Sequence, residues 1–213
     1  MAKIFVAMPV FNLINPSIQD NHRETLNNSI HETIFCQIVG ASVEHGRSIM
    51  IDKFLETDCD YLFTLDADIL FLEQKDVLDA LISQNKPIVG GIYVYKRKPC
   101  LPVYRPLDLQ KTWEVEKVFP DNYKFVIPKA CFEVQWMGNG CKMIKREVVE
   151  AVKKIIKVPN LPMIYKDEYI SEDWAMDQRA RELGYSVWAD PSIKLGHEGK
   201  KIFTLNEDYN GNN

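Results

Sequence analysis

Residues 61–71 constrain the fold more than any other stretch, because two apolar runs are joined there by a pair of carboxylates. The first run is rich in strand-forming residues and shows no polar alternation, which predicts a strand buried on both faces of a helix-covered parallel sheet. Asp66 and Asp68 follow it directly. Ligands of open α/β sheets bind beyond the carboxyl ends of such strands, so the pair is expected at a binding edge.

Two carboxylates so close together repel each other and are costly to bury. A divalent cation relieves that repulsion, and Mg²⁺ or Mn²⁺ beside a diphosphate is usually held by one or two carboxylates and by phosphate oxygens. The alternative is that Asp66 caps a turn and Asp68 is solvated. The position directly after a buried strand favours the cation.

Length and composition indicate one soluble domain. The chain has 213 residues, of which 46% are hydrophobic and 26% charged, and its net charge of −4 predicts no general affinity for nucleic acid or acidic membranes. No apolar run approaches the length of about 20 residues that a membrane span needs, and the amino terminus has no signal-peptide pattern. Five scattered cysteines without a C-x-x-C motif predict free thiols in a reducing compartment, and therefore a cytoplasmic protein.

The first half of the chain alternates predicted strands with predicted helices. Strands are expected at residues 3–10, 35–40, 61–71 and 88–94, and helices at 20–34, 42–57 and 74–84. Right-handed crossovers then give a single α/β domain with a mostly parallel sheet flanked by helices. Residues 96–131 contain several prolines and predict a small antiparallel excursion.

The second half returns to the sheet with strands at 132–136, 142–144 and 186–189. Helices are expected at 146–157 and from Ser171, an N-cap, to Gly184, with a loop at 158–170 between them. The domain is expected to span residues 1–205. Residues 206–213 are polar and are either a frayed terminus or the start of a linker to further domains.

Two further sites carry candidate chemistry. Glu172 and Asp173 are either ordinary acidic residues of a helix's first turn or a general base and hydroxyl-binding pair. His197 lies among glycines, and although a lone histidine is more often structural, the acidic pair needs a third ligand. An Asp/Asp/His set suits Mn²⁺ or Mg²⁺. Asp177 is expected to pair with Arg181 one turn away.

Arg47, on the helix before the acidic strand, is either a phosphate ligand or a surface residue. Several aromatic residues near predicted loops form either a stacking platform for a base or sugar, or part of the core. These residues are Phe11, Tyr93, Tyr95, Trp136 and Trp174.

Four segments in this order resemble the GT-A fold of nucleotide-sugar glycosyltransferases. They are residues 7–12 (AMPVFN), 46–48 (GRS) with 60–68 (DYLFTLDAD), 136–146 (WMGNGCKMIKR) and 171–199, which begins SEDW and ends GHEG. The resemblance covers nearly the whole chain. The compact length of the chain is similar to that of small glycosyltransferase domains of chlorella-infecting viruses.

The resemblance implies Mn²⁺ or Mg²⁺ on Asp66, Asp68 and His197, and a nucleoside-diphosphate sugar, UDP-linked by preference, as donor. It implies nucleotide contacts from Pro9, Val10, Phe11, Asn12, Arg47, Asp66, Ala67, Asp68 and Lys200. It places Gly91, Tyr93, Trp136, Gly138, Asn139 and Gly140 by the sugar or the glycan acceptor. Asp173 and Glu172 would face the acceptor hydroxyl as catalytic residues.

The stereochemical outcome stays open, because an E-D pair is typical of inverting members whereas a terminal histidine ligand also fits retaining ones. Two other functions also stay open. A sugar nucleotidyltransferase would need a glycine-rich phosphate loop after the first strand, and residues 8–15 contain no glycine. A non-catalytic nucleotide-sugar binding module would share the D-x-D motif.

Overall fold

The computed structural model describes residues 1–11, 14–73, 76–96, 100–107, 127–199 and 202–204. In this part of the chain five helices alternate with thirteen strands. The helices are α1 (Pro16–Asn27), α2 (Val43–Leu55), α3 (Val77–Ser83), α4 (Arg146–Ile155) and α5 (Glu172–Glu182). The strands are β1 (Lys3–Val10), β2 (Glu32–Val39), β3 (Tyr61–Leu65), β4 (Ile69–Phe71), β5 (Ile88–Ile92), β6 (Tyr104–Arg105), β7 (Phe132–Val134), β8 (Trp136–Met137), β9 (Cys141–Lys145), β10 (Met163–Tyr165), β11 (Glu168–Ile170), β12 (Val187–Glu198) and β13 (Ile202–Thr204).

The main sheet has the strand order β13-β12-β5-β9-β3-β1-β2, with β4 and β7 paired to β12. Strands β2, β1 and β3 are parallel to one another, as are β5 and β12, and β9 runs antiparallel between β3 and β5. β6 with β8 and β10 with β11 form two small antiparallel sheets. The predicted fold class, a mostly parallel sheet flanked by helices with a smaller antiparallel part, is confirmed. It is the Rossmann-like architecture that the GT-A resemblance implies.

Hydrophobic cores cover both faces of the sheet. Side chains alternate between them along β1, with Phe5 and Ala7 on the side of α2, α4 and α5, and Val6 and Met8 on the side of α3. Burial on both faces explains why β1 and β3 show no polar alternation, as the sequence predicts.

The predicted helix at residues 20–34 is wrong at both ends. α1 begins at Pro16 and ends at Asn27. Asn15 is its N-cap, and the side chain of Asn15 accepts a hydrogen bond from Ser17 N. Residues 32–39 instead form β2, which pairs in register with β1. The apolar residues Ile30 and Ile34 fit a helical period, but they lie largely exposed in the turn and on the edge strand. Strand pairing overrides the local pattern here.

The predicted loop at residues 158–170 contains the β10–β11 hairpin, whose turn uses positive φ at Lys166 and Asp167. The predicted helix end at Gly184 is confirmed: this glycine has φ of +89° and Tyr185 N donates to Ala180 O. Most of the predicted excursion at residues 96–131, and the polar end at 206–213, lie outside the described residues. No helix in the described ranges is long and apolar enough to cross a membrane. All five cysteines are free thiols.

Candidate functional site

The candidate site is a cleft of about 280 Å³ at the carboxyl edge of the sheet. Strands β1 and β3 are parallel and end side by side there, and β12 ends at the same edge. The cleft is lined by Pro9, Phe11, Val43, Arg47, Asp66, Ala67, Asp68, Glu172, Asp173, His197 and Glu198. The sheet topology therefore collects residues that are up to 189 positions apart (Pro9 and Glu198) at the edge where α/β sheets bind ligands.

Asp66 and Asp68 lie in a tight turn between β3 and β4. Asp66 O accepts a hydrogen bond from Ile69 N at 3.2 Å, and Asp66 N donates to Gly140 O at 3.1 Å. An aspartate is favoured at the first position of such a turn. The strand predicted at residues 61–71 is thus two strands, and β4 turns away from β3 to pair antiparallel with β12.

The β4–β12 pairing brings His197 beside the acidic turn. In this register His197 lies opposite Ile69, and Glu198 N donates to Asp68 O at 2.8 Å. His197 Nε2 is 3.4 Å from Asp68 Oδ1. His197 Nδ1 donates a hydrogen bond to Val94 O at 2.7 Å, which turns Nε2 toward Asp68.

The two carboxylate oxygens of Asp68 have different surroundings. Oδ2 contacts Lys96 Nζ, whereas Oδ1 is buried and has no hydrogen-bond partner among the residues that the structure describes. Burial acts to raise the pKa of Asp68, yet the contacts with His197 and Lys96 outweigh it and lower that pKa to about 2. Asp68 is therefore an anion at any physiological pH.

Arg47 joins the acidic turn to the start of α5. Its side chain is 5% exposed, and its guanidinium donates to Asp66 Oδ1 at 2.9 Å and to Asp173 Oδ1 at 2.7 Å, with Glu172 Oε1 at 3.5 Å. Burial opposes the charge on Arg47, but Asp173, Asp66 and Glu172 more than offset it and raise the pKa of Arg47. Burial also raises the pKa of Asp66, and Arg47 counteracts that effect.

A buried ion pair lies beneath Asp173. Lys142 on β9 donates to Asp177 Oδ1 at 2.8 Å and reaches Asp173 O at 3.4 Å, while Asp177 Oδ2 accepts from Met137 N at 2.7 Å. Both charged side chains are fully buried. The predicted Asp177–Arg181 pair is wrong: Arg181 instead contacts Glu133 at 3.1 Å, because Asp177 faces the sheet. The Lys142–Asp177 pair fixes the first turns of α5 relative to β9.

Residues 93–96, which follow β5, contact the site at three points. Tyr93 Oη accepts from Gly140 N at 3.2 Å, and its ring packs edge-on against the His197 ring at 5.1 Å. Val94 O binds His197, and Lys96 contacts Asp68. This segment therefore supports both the acidic turn and the histidine.

The residues assigned by resemblance to the sugar or acceptor lie in the interior. Gly91, Tyr93, Trp136, Gly138, Asn139 and Gly140 are all buried. A Cβ at Gly138 would lie 2.1 Å from Tyr93 Oη, and one at Gly140 would lie 2.9 Å from Tyr93 Cζ, so Tyr93 requires glycine at both positions. Asn139 lines a small internal cavity of about 10 Å³ with Arg47. Trp136 stacks on Trp174, with ring centroids 5.3 Å apart. A sugar subsite at these residues stays a prediction.

Most of the predicted nucleotide, metal and catalytic residues meet in the cleft. Val10 is buried in the sheet, and Asn12 and Lys200 lie outside the described residues. Sequence reasoning missed Val43 and Glu198 as parts of the cleft. Glu198 directly follows the predicted histidine, and its Oε1 accepts from Asn15 Nδ2 at 2.5 Å. Lys96 begins a basic run, but nothing local indicates that it reaches Asp68.

Of the three predicted cation ligands, two lie side by side in the acidic cleft and the third lies apart. Asp68 Oδ1 and His197 Nε2 are adjacent, whereas Asp66 is turned toward Arg47. Within the described ranges no group of three or more His, Cys, Asp or Glu side chains is close enough to hold a metal ion. The predicted Asp66/Asp68/His197 metal site thus stays a prediction, of which Asp68 and His197 are adjacent.

Comparisons with known proteins concern the fold. No protein-family model matches this chain, and no curated protein matches it. The crystal structure of A197 from STIV is 22% identical, with a TM-score of 0.61, and the match covers 97% of this chain and 95% of that one. The crystal structure of GalNAc-T7 with UDP, GalNAc and Mn²⁺ is 13% identical, with a TM-score of 0.47, and the match covers 100% of this chain and 45% of that one. The likeness to A197 shows a shared fold over nearly the whole chain.

Proposed function

We propose that this protein is a metal-dependent glycosyltransferase that moves a sugar from a nucleoside-diphosphate sugar, preferably UDP-linked, to a hydroxyl of a glycan acceptor. The observation that carries the proposal is the juxtaposition of Asp68 Oδ1 and His197 Nε2 in a carboxylate-rich cleft at the carboxyl edge of the sheet. Such a cleft repels a diphosphate unless a cation lies between them.

The two donor atoms fit Mn²⁺ or Mg²⁺. The hydrogen bond from Nδ1 to Val94 O fixes the histidine tautomer, as is usual for metal-binding histidines. Asp68 is ionised, and its buried Oδ1 lacks a hydrogen bond within the described ranges. Two protein ligands leave positions for phosphate oxygens. When bound, the cation would stabilise negative charge on the departing nucleoside diphosphate. Asp66 becomes a third ligand only if Arg47 releases it.

The walls of the cleft suit a nucleoside. Phe11 is 69% exposed at the end of β1, beside Pro9 and Val43, and an exposed aromatic ring offers a stacking surface for a base. We assign the nucleoside to this wall, with Asn12 and Lys200 as further contacts. Arg47 acts here as a positioning residue, because its two Nη groups hold carboxylates.

Asp173 is the proposed base, with Glu172 as its neighbour. Arg47 holds one oxygen of Asp173, and Lys142 holds its carbonyl, so the carboxylate is fixed toward the cleft. A positioned carboxylate can take the proton of an attacking hydroxyl. Asp173→Asn should lower the transfer rate about 100-fold or more while donor affinity changes little. Equal transfer rates would leave Asp173 only a structural role.

The decisive experiment is calorimetric titration with UDP-sugars, with and without Mn²⁺, followed by measurement of sugar release. Asp68→Ala and His197→Ala should abolish the Mn²⁺-dependent part of the affinity, and Asp20→Ala, which removes an exposed carboxylate on α1, is the matched control. Undiminished Mn²⁺-dependent binding in His197→Ala would contradict the assignment.

Two other outcomes would identify the alternative functions. Binding without any sugar release would indicate a nucleotide-sugar binding module, and release of pyrophosphate from a nucleoside triphosphate and a sugar phosphate would indicate a nucleotidyltransferase. A single domain at residues 1–205 and a cytoplasmic location belong to the same proposal, supported by the continuous nine-stranded main sheet and the five free thiols.

A further inference from the structure

The side chain of Lys96 occupies the place beside Asp68 that a cation would need. Its ammonium contacts Asp68 Oδ2, while the other oxygen of the same carboxylate faces His197. We propose that Lys96 is a displaceable counterion: it neutralises Asp68 in the metal-free protein and, once a divalent cation has taken this carboxylate, binds the diphosphate of the donor. The inference rests on the proposed function, and it concerns a residue to which the GT-A resemblance gives no role.

The geometry allows the ammonium to leave. The side chains of Lys96 and Asp68 are 35% and 38% exposed, so water reaches both partners. An exposed ion pair of this kind contributes little to stability and rearranges readily. Lysine also has a flexible stem, and its ammonium binds phosphate as a point charge.

The backbone on which Lys96 is mounted keeps it near the cation ligands after displacement. Two residues earlier Val94 O holds His197, and three residues earlier Tyr93 packs against the same ring. Tyr95 N donates to Leu101 O and Val103 N donates to Tyr93 O, which pairs the segment with residues 101–103. A displaced ammonium therefore stays within a side-chain length of Asp68, where phosphate oxygens of a cation-bound diphosphate would lie.

The charges around it favour this exchange. Arg47 is shared by three carboxylates of the cleft, and Glu198 accepts its hydrogen bond from the neutral Asn15. A bound divalent cation repels an ammonium on the same carboxylate, whereas a diphosphate attracts it. Cation and lysine thus compete for Asp68 when no donor is present, and they act together on the donor.

The test is calorimetric titration of the full chain with Mn²⁺ alone, and then with uridine diphosphate at saturating Mn²⁺. Lys96→Met should bind Mn²⁺ alone about three- to fivefold more tightly, because an exposed ion pair no longer competes. It should bind uridine diphosphate about tenfold more weakly, because one charge-assisted hydrogen bond is lost. Lys96→Arg should keep the affinity for uridine diphosphate within about threefold, since it retains the charge.

Lys154→Met, which removes the same charge from an exposed position on α4, is the matched control and should change neither affinity. If the ion pair is only structural, Lys96→Met should lose a little stability and change neither the affinity for Mn²⁺ nor that for uridine diphosphate. That result would overturn the inference, and so would two affinities that move in the same direction. If wild-type protein binds Mn²⁺ and Asp68→Ala does not, but Lys96→Met equals wild type, the inference fails and the cation site stands. If wild-type protein binds no Mn²⁺, both fail.

Discussion

The buried Lys142–Asp177 pair allows a quantitative prediction about stability. Both side chains are fully buried, and the carboxylate also accepts the Met137 N–H at 2.7 Å. Lys142→Met leaves the carboxylate buried without its cation, which typically costs about 3–5 kcal/mol. An upper bound follows from protonating Asp177 instead, since protonating a carboxyl of ordinary pKa, about 3.9, at pH 7.5 costs about 5 kcal/mol. The predicted loss corresponds to a drop in Tm of about 7–11 °C.

Urea denaturation followed by circular dichroism measures this loss as a free energy of unfolding. The double variant Lys142→Met/Asp177→Leu should lose only about 1–3 kcal/mol, because the Met137 N–H is then the main group left without its partner. The double variant is thus predicted to be more stable than Lys142→Met alone. Arg23→Met, which breaks an exposed pair with Asp20, is the control and should change stability by at most about 0.5 kcal/mol.

The pH dependence gives a second, independent check of the same reasoning. In Lys142→Met, burial without the lysine should hold the pKa of Asp177 above its unfolded value, so the folded state binds the proton more readily. Stability should then rise as the pH falls from 7.5 toward 5. A loss below about 1 kcal/mol in Lys142→Met, or a double variant no more stable than Lys142→Met, would refute the argument.

Three further predictions concern other parts of the fold. Arg47→Met should lower the free energy of unfolding by about 2–4 kcal/mol. Mn²⁺ should raise the Tm of this variant more than the Tm of wild type, because Asp66 becomes free to bind the cation. Equal Tm shifts in a thermal scan would contradict the role given to Asp66. Gly138→Ala should cost about 1–3 kcal/mol in urea denaturation through its clash with Tyr93, whereas the control Gly184→Ala meets no atom within 4 Å and should cost only the strain of its positive φ, about 1 kcal/mol. Burial lowers the pKa of His22, so the unfolded state takes up a proton at a higher pH than the folded state does. The free energy of unfolding should therefore fall by up to about 2 kcal/mol between pH 7 and pH 5. Urea denaturation at both pH values should show that His22→Gln abolishes this loss.

The sequence predicts the sheet because its signals are local. The apolar runs of β1 and β3 are buried on both faces, and a pattern without polar alternation indicates that directly. The glycine after α5 and the carboxylates after β3 are equally local signals. The predicted boundary between α1 and β2 is wrong because the apolar residues of that region fit a helical period. Only the pairing with β1 determines the conformation there.

The cleft is predictable as a set of residues and not as a network of contacts. The carboxyl edge of the sheet collects Asp66, Asp68, Asp173 and His197 whatever their side chains do. The partner of each carboxylate depends on long-range geometry: Arg47 reaches across 126 positions to Asp173, and Lys142 reaches 35 positions to Asp177. No pattern in the sequence distinguishes Arg181, one turn from Asp177, from the correct partner on β9.

The position of β9 determines the order in which this protein can complete its sheet during synthesis. β3 and β5 do not touch each other, and each pairs along one edge with β9, which lies 49 residues after the end of β5. A nascent chain that has not yet reached Cys141 therefore exposes one edge of β3 and both edges of β5, because β12 is also still missing, and such unpaired edges are prone to aggregate. The turn that carries Asp66 also lacks its hydrogen bond to Gly140 O at that stage, so the amino-terminal half alone cannot assemble the cleft.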